Sequence, residues 1–388
     1  MELSKKVLAV KPSVTLEIAA KAKAMKGQGI DVISLSAGEP DFDTPAFIKE
    51  AAIESLKKGN TKYTPVPGTL ELRQAVCRKL KRDQGLEFAP DQIVVGCGAK
   101  HVIFNVLFAL LNPGDEVLIP SPYWLSYPEM VTVLGGTSVF IPTDEKTNFK
   151  ITPPALEKAI TPRSKILILN SPSNPTGAVY TQEELLALCA VLRKHPQVLV
   201  LSDEIYEKLI FDGLKHVSIA SLDPEIAKRT VIVNGHSKAY AMTGWRLGYA
   251  AIPEKTLAKA VESIQSHSTS NPVSFTQPGA VVALDQGDQE AGKMREVFQK
   301  RRDLFISLLK KSVPSFKPFK SNGAFYLFTD ISGTGLSGFE VAKKLLDEVH
   351  VAVIPCEPFG SAQHIRMSYA CSEKDIEAAV TRIASIFK

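Results

Sequence analysis

Ser237, Lys238 and, eight positions on, Arg246 share the run from Asn234 to Tyr249, which reads NGHSKAYAMTGWRLGY. The apolar residues 230–233 ahead of it read as a strand, so the three stand at a strand's mouth. A lysine amine condenses with an aldehyde to a Schiff base. An arginine clamps a phosphate with its planar fork of donors. An aldehyde and a phosphate on one molecule describe pyridoxal 5'-phosphate. Alone, the same run also reads as a surface lysine in a glycine-bearing loop.

Three further stretches supply partners that such a cofactor needs. In VLVLSDEIYEKLIF, residues 198–201 form a short apolar run, and Asp203 and Tyr206 lie just beyond it. Ligands of open α/β sheets sit outside the carboxyl ends of strands. A carboxylate there keeps a pyridine nitrogen protonated and makes the ring an electron sink. The Tyr206 phenol then donates to the ring 3′-oxygen. In NSPSNPTG, after the strand-like residues 166–169, two X-Pro steps hold Asn174 on extended or turn backbone, with its amide free to donate. In VVGCGAKHVIF, residues 93–95 read as strand and a helix starts near Ala99. Its free N–H groups make Gly98, Ala99 and Lys100 a candidate phosphate cradle. The third glycine of a dinucleotide fingerprint is missing, which counts against a Rossmann oxidoreductase. Taken singly, Asp203 is also an ordinary loop carboxylate and Asn174 an Asn-Pro turn.

The elements around these residues read as α/β throughout. Helical patterns at 45–58 and 69–83 precede the glycine turn, and short apolar strands recur near 116–119, 138–141, 165–169, 198–201, 230–233 and 247–252. Long amphipathic patterns follow at 255–266 and 277–311, then a smaller α+β unit containing AFYLF, VAVIP and HIRMSYA. A chain of 388 residues that is 45% hydrophobic suffices for two domains. A net charge of +5 without basic runs excludes a nucleic-acid partner. Five cysteines without C-x-x-C spacing and seven histidines without an H-E-x-x-H pair predict reduced thiols and no metal. No apolar stretch is long enough to span a membrane, and the N-terminus lacks the h-region of a signal peptide, so the expected location is cytoplasmic.

The phrases SAGEPDFDTP, YTPVPGTLELR, PSPYWLSYPEMV, NSPSNPTGAVY, SDEIYE, SKAYAMTGWRLGYA, SNGAFY and HIRMSYA occur in an order that resembles the class I, fold-type I aminotransferases, nearest to the aspartate group of subgroup I-beta. The resemblance covers almost the whole chain. It implies a mainly parallel seven-stranded sheet in a large cofactor-binding domain (46–294), a small C-terminal α+β domain (295–388), and an N-terminal segment (1–45) that joins the small one. It implies that Lys238 is the Schiff-base lysine and the general base, that Asp203 pairs with the pyridine nitrogen, and that Tyr206 and Asn174 reach the 3′-oxygen. Trp124 would stack on the ring, and Arg246, Ser237 and the Gly98–Ala99 backbone would hold the phosphate. Tyr63 would reach that phosphate from the partner of a homodimer. Arg366 would clasp the substrate α-carboxylate with Gly38 and Asn174. Lys100, under Lys11, Ser13 and Thr15, would take a distal carboxylate, with the Ser268–Asn271 loop approaching from the partner.

The implied reaction moves an amino group between L-aspartate and 2-oxoglutarate by ping-pong turnover. A prephenate or broader-specificity aminotransferase and a lyase on the same fold remain alternatives. A non-catalytic regulator would need an added DNA-binding module. His236 fits no part of this pattern and is expected only to perturb the phosphate side.

Overall fold

Residues 2–387 of the chain are described here, from a computed structural model. The helix Val14–Gly27 leads to a short strand, β1 (Ile33–Ser34). Seven strands then form one sheet: β2 (Ile93–Gly96), β3 (Glu116–Ser121), β4 (Thr137–Pro142), β5 (Ser164–Asn170), β6 (Leu199–Asp203), β7 (Thr230–Gly235) and β8 (Gly248–Ala251). Their order is β2-β8-β7-β6-β5-β3-β4. Every neighbouring pair is parallel except those made by β8, which runs against both β2 and β7.

Burial explains the unbroken apolar runs. Every residue of β7 is buried because both faces of the sheet are covered, whereas half of the edge strand β4 is exposed. Val94, Ile168, Leu201 and Val233 pack on one side against the helices Ala99–Leu110 and Lys255–Ser266. On the other side Leu167 and Val200 meet the helix Gln182–Arg193, while Ile232 meets helices Leu70–Gln84 and Gln277–Gln286.

The carboxyl ends of β2, β3, β5, β6 and β7 share one rim, and the site grows from it. Gly96, Gly248 and Gly235 lie side by side across β2, β8 and β7. A Cβ on Gly248 would come within 2.2 Å of the Ala99 nitrogen and 2.6 Å of the Gly98 carbonyl carbon. This glycine row lets the helix Ala99–Leu110 start directly on the sheet's rim.

The remaining strands are β9 (Lys317–Pro318), β10 (Tyr326–Asp330), β11 (Val351–Ala352), β12 (Ile354–Pro355) and β13 (His364–Ser368). Four form an antiparallel sheet in the order β12-β13-β10-β9, whereas β11 pairs in parallel with β1. The pairing of β1 with β11 anchors the N-terminal segment here, supported by a Ser368 N–H bond to the Leu35 carbonyl at 2.7 Å. Phe298, Phe305, Phe325, Leu345 and Ile383 form the core of this part.

One sequence expectation changes. The pattern at 277–311 is two helices, Gln277–Gln286 and Asp288–Ser312, broken at Gly287. A Cβ there would meet the Ala283 carbonyl at 2.5 Å and the Tyr240 ring at 2.6 Å, so the chain turns where only glycine fits. The link from β7 to β8 is the lysine loop with a 3₁₀ turn, Thr243–Trp245, which is why β8 returns antiparallel.

Candidate active site

A cleft of about 590 Å³ opens on the rim. It is lined by Gly38, Ala99, Lys100, Trp124, Asn174, Asp203, Tyr206, Ser237, Lys238, Arg246 and Arg366, residues singled out from sequence and drawn from seven separate stretches of chain.

Lys238 leaves the loop after β7 and points its ammonium at the Gly38 carbonyl, 2.5 Å away. Burial pulls its basicity down to about 8, with Glu39 opposing and Arg366, Arg246 and Lys100 assisting. A lysine so shifted has a usable free-amine fraction near neutral pH.

Asp203 is the last residue of β6 rather than a loop residue past it, and is 3% exposed. Burial lifts its carboxyl to about 6, against the pull of the Tyr127 hydroxyl and the Ile205 N–H. Tyr127 donates to Asp203 Oδ2 at 2.6 Å. The Tyr206 hydroxyl shares a bond with the Tyr326 hydroxyl at 2.9 Å.

Asn174 is aimed from two sides. Its N–H donates to Asn170 Oδ1 at 2.9 Å, and its own Oδ1 accepts from Arg366 Nη1 at 3.0 Å. The amide NH₂ is what it has left to offer a ligand.

Arg366 is 2% exposed, donates to the Ser36 carbonyl at 3.2 Å and lies 4.3 Å from the Tyr326 ring centroid. Its buried Nε has no partner, and no carboxylate pairs with it among the described residues. A buried guanidinium lacking a counter-ion is costly, so its surroundings call for an anion.

On the opposite wall, the Lys100 ammonium sits 4.8 Å from the Trp124 ring centroid, and burial, then Arg246, lowers its pKa. Arg246 holds a left-handed φ of 55°, unusual for a side-chain-bearing residue. It donates to the Thr243 carbonyl at 2.9 Å, and its Nη2 would lie 2.7 Å from a Cβ on Gly98. Gly98 (φ +93°) therefore provides both the turn and the room for the guanidinium beside the helix N-terminus.

Ser13 and Thr15 line the cleft, while Lys11 and the Ser268–Asn271 loop do not. Tyr63 also stays outside it and is 90% exposed. His236 corrects an expectation: it is fully buried away from the cleft, 6.1 Å from the Tyr240 ring and 6.2 Å from that of Tyr249. Ser237 faces the cleft and its chain neighbour faces the core. Sequence reasoning missed Tyr127, Tyr326, Ser36 and Glu39, although Tyr127 stands three residues after Trp124 in a phrase already singled out. A second polar cluster, Glu204, Glu207 and His216, lies apart from the cleft, and the Lys79 ammonium, 2.5 Å from Glu207, already supplies its cation.

Residues 30–383 match the family described as aminotransferase class I and II. The aspartate aminotransferase of Geobacillus stearothermophilus is 48% identical, over 99% of this chain and 98% of its own. The aspartate/prephenate aminotransferase of Cereibacter sphaeroides is also 48% identical, over 98% of this chain and 97% of its own. Among solved structures, aspartate aminotransferase from Thermus thermophilus with maleate is similar at a TM-score of 0.95 and 42% identity, covering 100% of both chains.

Proposed function

The chain belongs to the class I and II aminotransferases, and from that premise we propose an aspartate aminotransferase that uses pyridoxal 5'-phosphate and works as a cytoplasmic homodimer. The observation that carries the substrate reading is the charge inventory of the cleft. Its lining holds four cations, Lys100, Lys238, Arg246 and Arg366, against two acids, Glu39 and Asp203. Lys100, Arg246 and Arg366 have no carboxylate partner among the described residues. A cofactor phosphate accounts for Arg246, leaving Arg366 and Lys100 for the two carboxylates of a dicarboxylate amino acid.

The residues fit the cofactor. Lys238 would meet its aldehyde, buried Asp203 its ring nitrogen, Asn174 and Tyr206 its 3′-oxygen, Trp124 its face, and Arg246, Ser237 and Ala99 its phosphate. When bound, it supplies the sink for the electron pair released as a Cα–H bond breaks. Arg366 and Asn174 fix the α-carboxylate, and Lys100 fixes the far end. Lys238, its amine freed by the incoming substrate amine, takes the proton from Cα and later returns it. Trp124 and the N-terminal residues Ser13, Thr15 and Leu16 keep bulk water off this proton. Departure of the oxo acid before the second one binds makes the kinetics ping-pong.

Maleate, named with the Thermus structure, is a dicarboxylate, which supports the same reading. Prephenate, a larger dicarboxylate, is the second reading, favoured by the Cereibacter relative's name and by the cleft's size. Free thiols at all five cysteines support a reducing compartment. No helix among the described residues is long and apolar enough to cross a membrane.

A panel of amino donors with 2-oxoglutarate, oxaloacetate and prephenate tests the proposal. Aspartate is expected to lead, and Lys100→Gln to cut its kcat/KM roughly 10–100-fold, the value of one charged hydrogen bond, while leaving alanine turnover near its starting level. Aromatic or branched donors outrunning aspartate would overturn the substrate assignment.

A further inference from the structure

The turn from Gly96 to Gly98 is held from behind by His101, the third residue of the helix Ala99–Leu110. Its Nδ1 accepts the Cys97 N–H at 3.1 Å. Its Nε2 lies 3.2 Å from the side-chain amide of Asn105, itself 1% exposed. An Nδ1 that accepts leaves the ring proton on Nε2, so the imidazole is neutral; the Asn105 atom beside Nε2 is Nδ2, and turning that amide over presents its oxygen as the acceptor. The turn is tight around this contact, since a Cβ on Gly96 would lie 2.9 Å from His101 Nδ1. On the far side of the same turn, the Cys97 carbonyl accepts from Arg246 Nη2 at 3.4 Å. Both polar groups of the Cys97 backbone are thus engaged, one by His101 and one by the phosphate-side arginine.

In a capping box the backward reach from the third position, made there to the N-cap N–H, comes from glutamate or glutamine; His101 reaches one residue further, past the N-cap Gly98 to Cys97. A glutamate would place a full negative charge at the helix end that, in the function proposed above, receives a dianionic phosphate. We propose that His101 is a positioning residue for that phosphate: it caps the turn with a neutral acceptor and so orients the Gly98–Ala99 amides without adding a charge that repels the ligand. Lys100 and Arg246 are the charged groups that the structure places at this turn, and Gln265, which approaches Gly96 from the helix Lys255–Ser266, is neutral. An acid at position 101 would be the first anion among them.

This inference rests on the cofactor reading, and three substitutions separate the two. His101→Asn sets a neutral acceptor near the place of Nδ1, His101→Asp sets a charged one there, and His101→Leu sets none. Each apo-protein is titrated with pyridoxal 5'-phosphate, followed by the visible band of the lysine-linked cofactor, and its thermal midpoint is measured without ligand. His101→Asn is expected to bind within about threefold of the parent and His101→Leu about tenfold more weakly, the value of one hydrogen bond. His101→Asp is expected to keep or raise the apo midpoint, since an acid suits a helix N-terminus, yet to bind at least about tenfold more weakly. Inorganic phosphate as a competitor should show the same ranking. Equal affinity in the Asn and Asp variants, or an unweakened Leu variant, would overturn the proposal. A parent protein that develops no visible band would instead overturn the cofactor reading, and that is seen without any variant.

Discussion

In the proposed function, Asp203 and Tyr127 would set the acidity on which the reaction depends. Burial pushes the Asp203 carboxyl up, and the Tyr127 hydroxyl is the strongest pull in the other direction, leaving it at about 6. Tyr127→Phe removes a donor to the charged form, so the carboxyl must move further up. Less of it is then ionised at pH 7 to hold a proton on the cofactor ring. We expect kcat to fall about tenfold, KM to change little, and the acid limb of the kcat profile to move to higher pH. An acid limb that stays in place in the variant would show that Asp203 does not control it. That Lys238, Asp203, Asn174 and Arg246 share one cleft was legible in the sequence because each has a side chain whose chemistry suits one part of a single cofactor, the first three just past a strand or at its end. Tyr127 was not, because a phenol on a helix reads as packing until the fold brings a carboxylate 2.6 Å away. Ser36 was invisible for a plainer reason: it acts through its backbone carbonyl, which every residue has.

At the level of elements, continuous apolar runs identified the buried strands, and the helices near 45–58 and 69–83 agree with Ala46–Lys57 and Leu70–Gln84. The direction of β8 was not legible, since an apolar run carries no sign of which way it pairs; the loop that returns it does. Nor was the orientation of His236. At the end of β7 alternation turns Ser237 to the cleft and His236 to the core, where neither ring nitrogen has a hydrogen-bond partner. Burial takes the imidazole down to about 4. An unfolded histidine titrates near 6.5. Between those two values the unfolded chain binds a proton that the folded one refuses, so stability falls as pH drops from about 6.5 to about 4. The loss is on the order of 3 kcal/mol when complete. Urea unfolding of the apo-protein from pH 7 to pH 4.5 should show this slope, and His236→Leu should flatten it. The same slope in the leucine variant would assign it to another group.

The whole molecule presents a surface that the cleft alone does not use. Tyr63 is 90% exposed, and its segment is held in place by the Asn60 amide donating to the Ser274 carbonyl and the Gln277 amide donating to the Thr64 hydroxyl. Ile53, Leu56, Leu70 and Val273, on the neighbouring elements, are also exposed. Apolar surface around a fixed phenol suits a second copy of the chain. If Tyr63 completes the partner's phosphate site, Tyr63→Ala and Lys238→Ala proteins, each weak alone, should complement. After mixing and subunit exchange, half the dimers are mixed and each has one intact site, giving about a quarter of wild-type activity. No recovery despite proven exchange, or a fully active monomer in sedimentation, would remove Tyr63 from the site. The resemblance pointed to this arrangement, but composition and periodicity could not, because a lone exposed tyrosine has no sequence signature.

The central claim is that the amine of Lys238 both holds the cofactor and moves the substrate proton. Its direct test is Lys238→Ala, reconstituted with pyridoxal 5'-phosphate and given aspartate in a single half-reaction. The visible band of the lysine-linked cofactor should be missing, and the rate of oxaloacetate formation should fall roughly ten-thousandfold. A variant that keeps both the band and the rate would contradict the account.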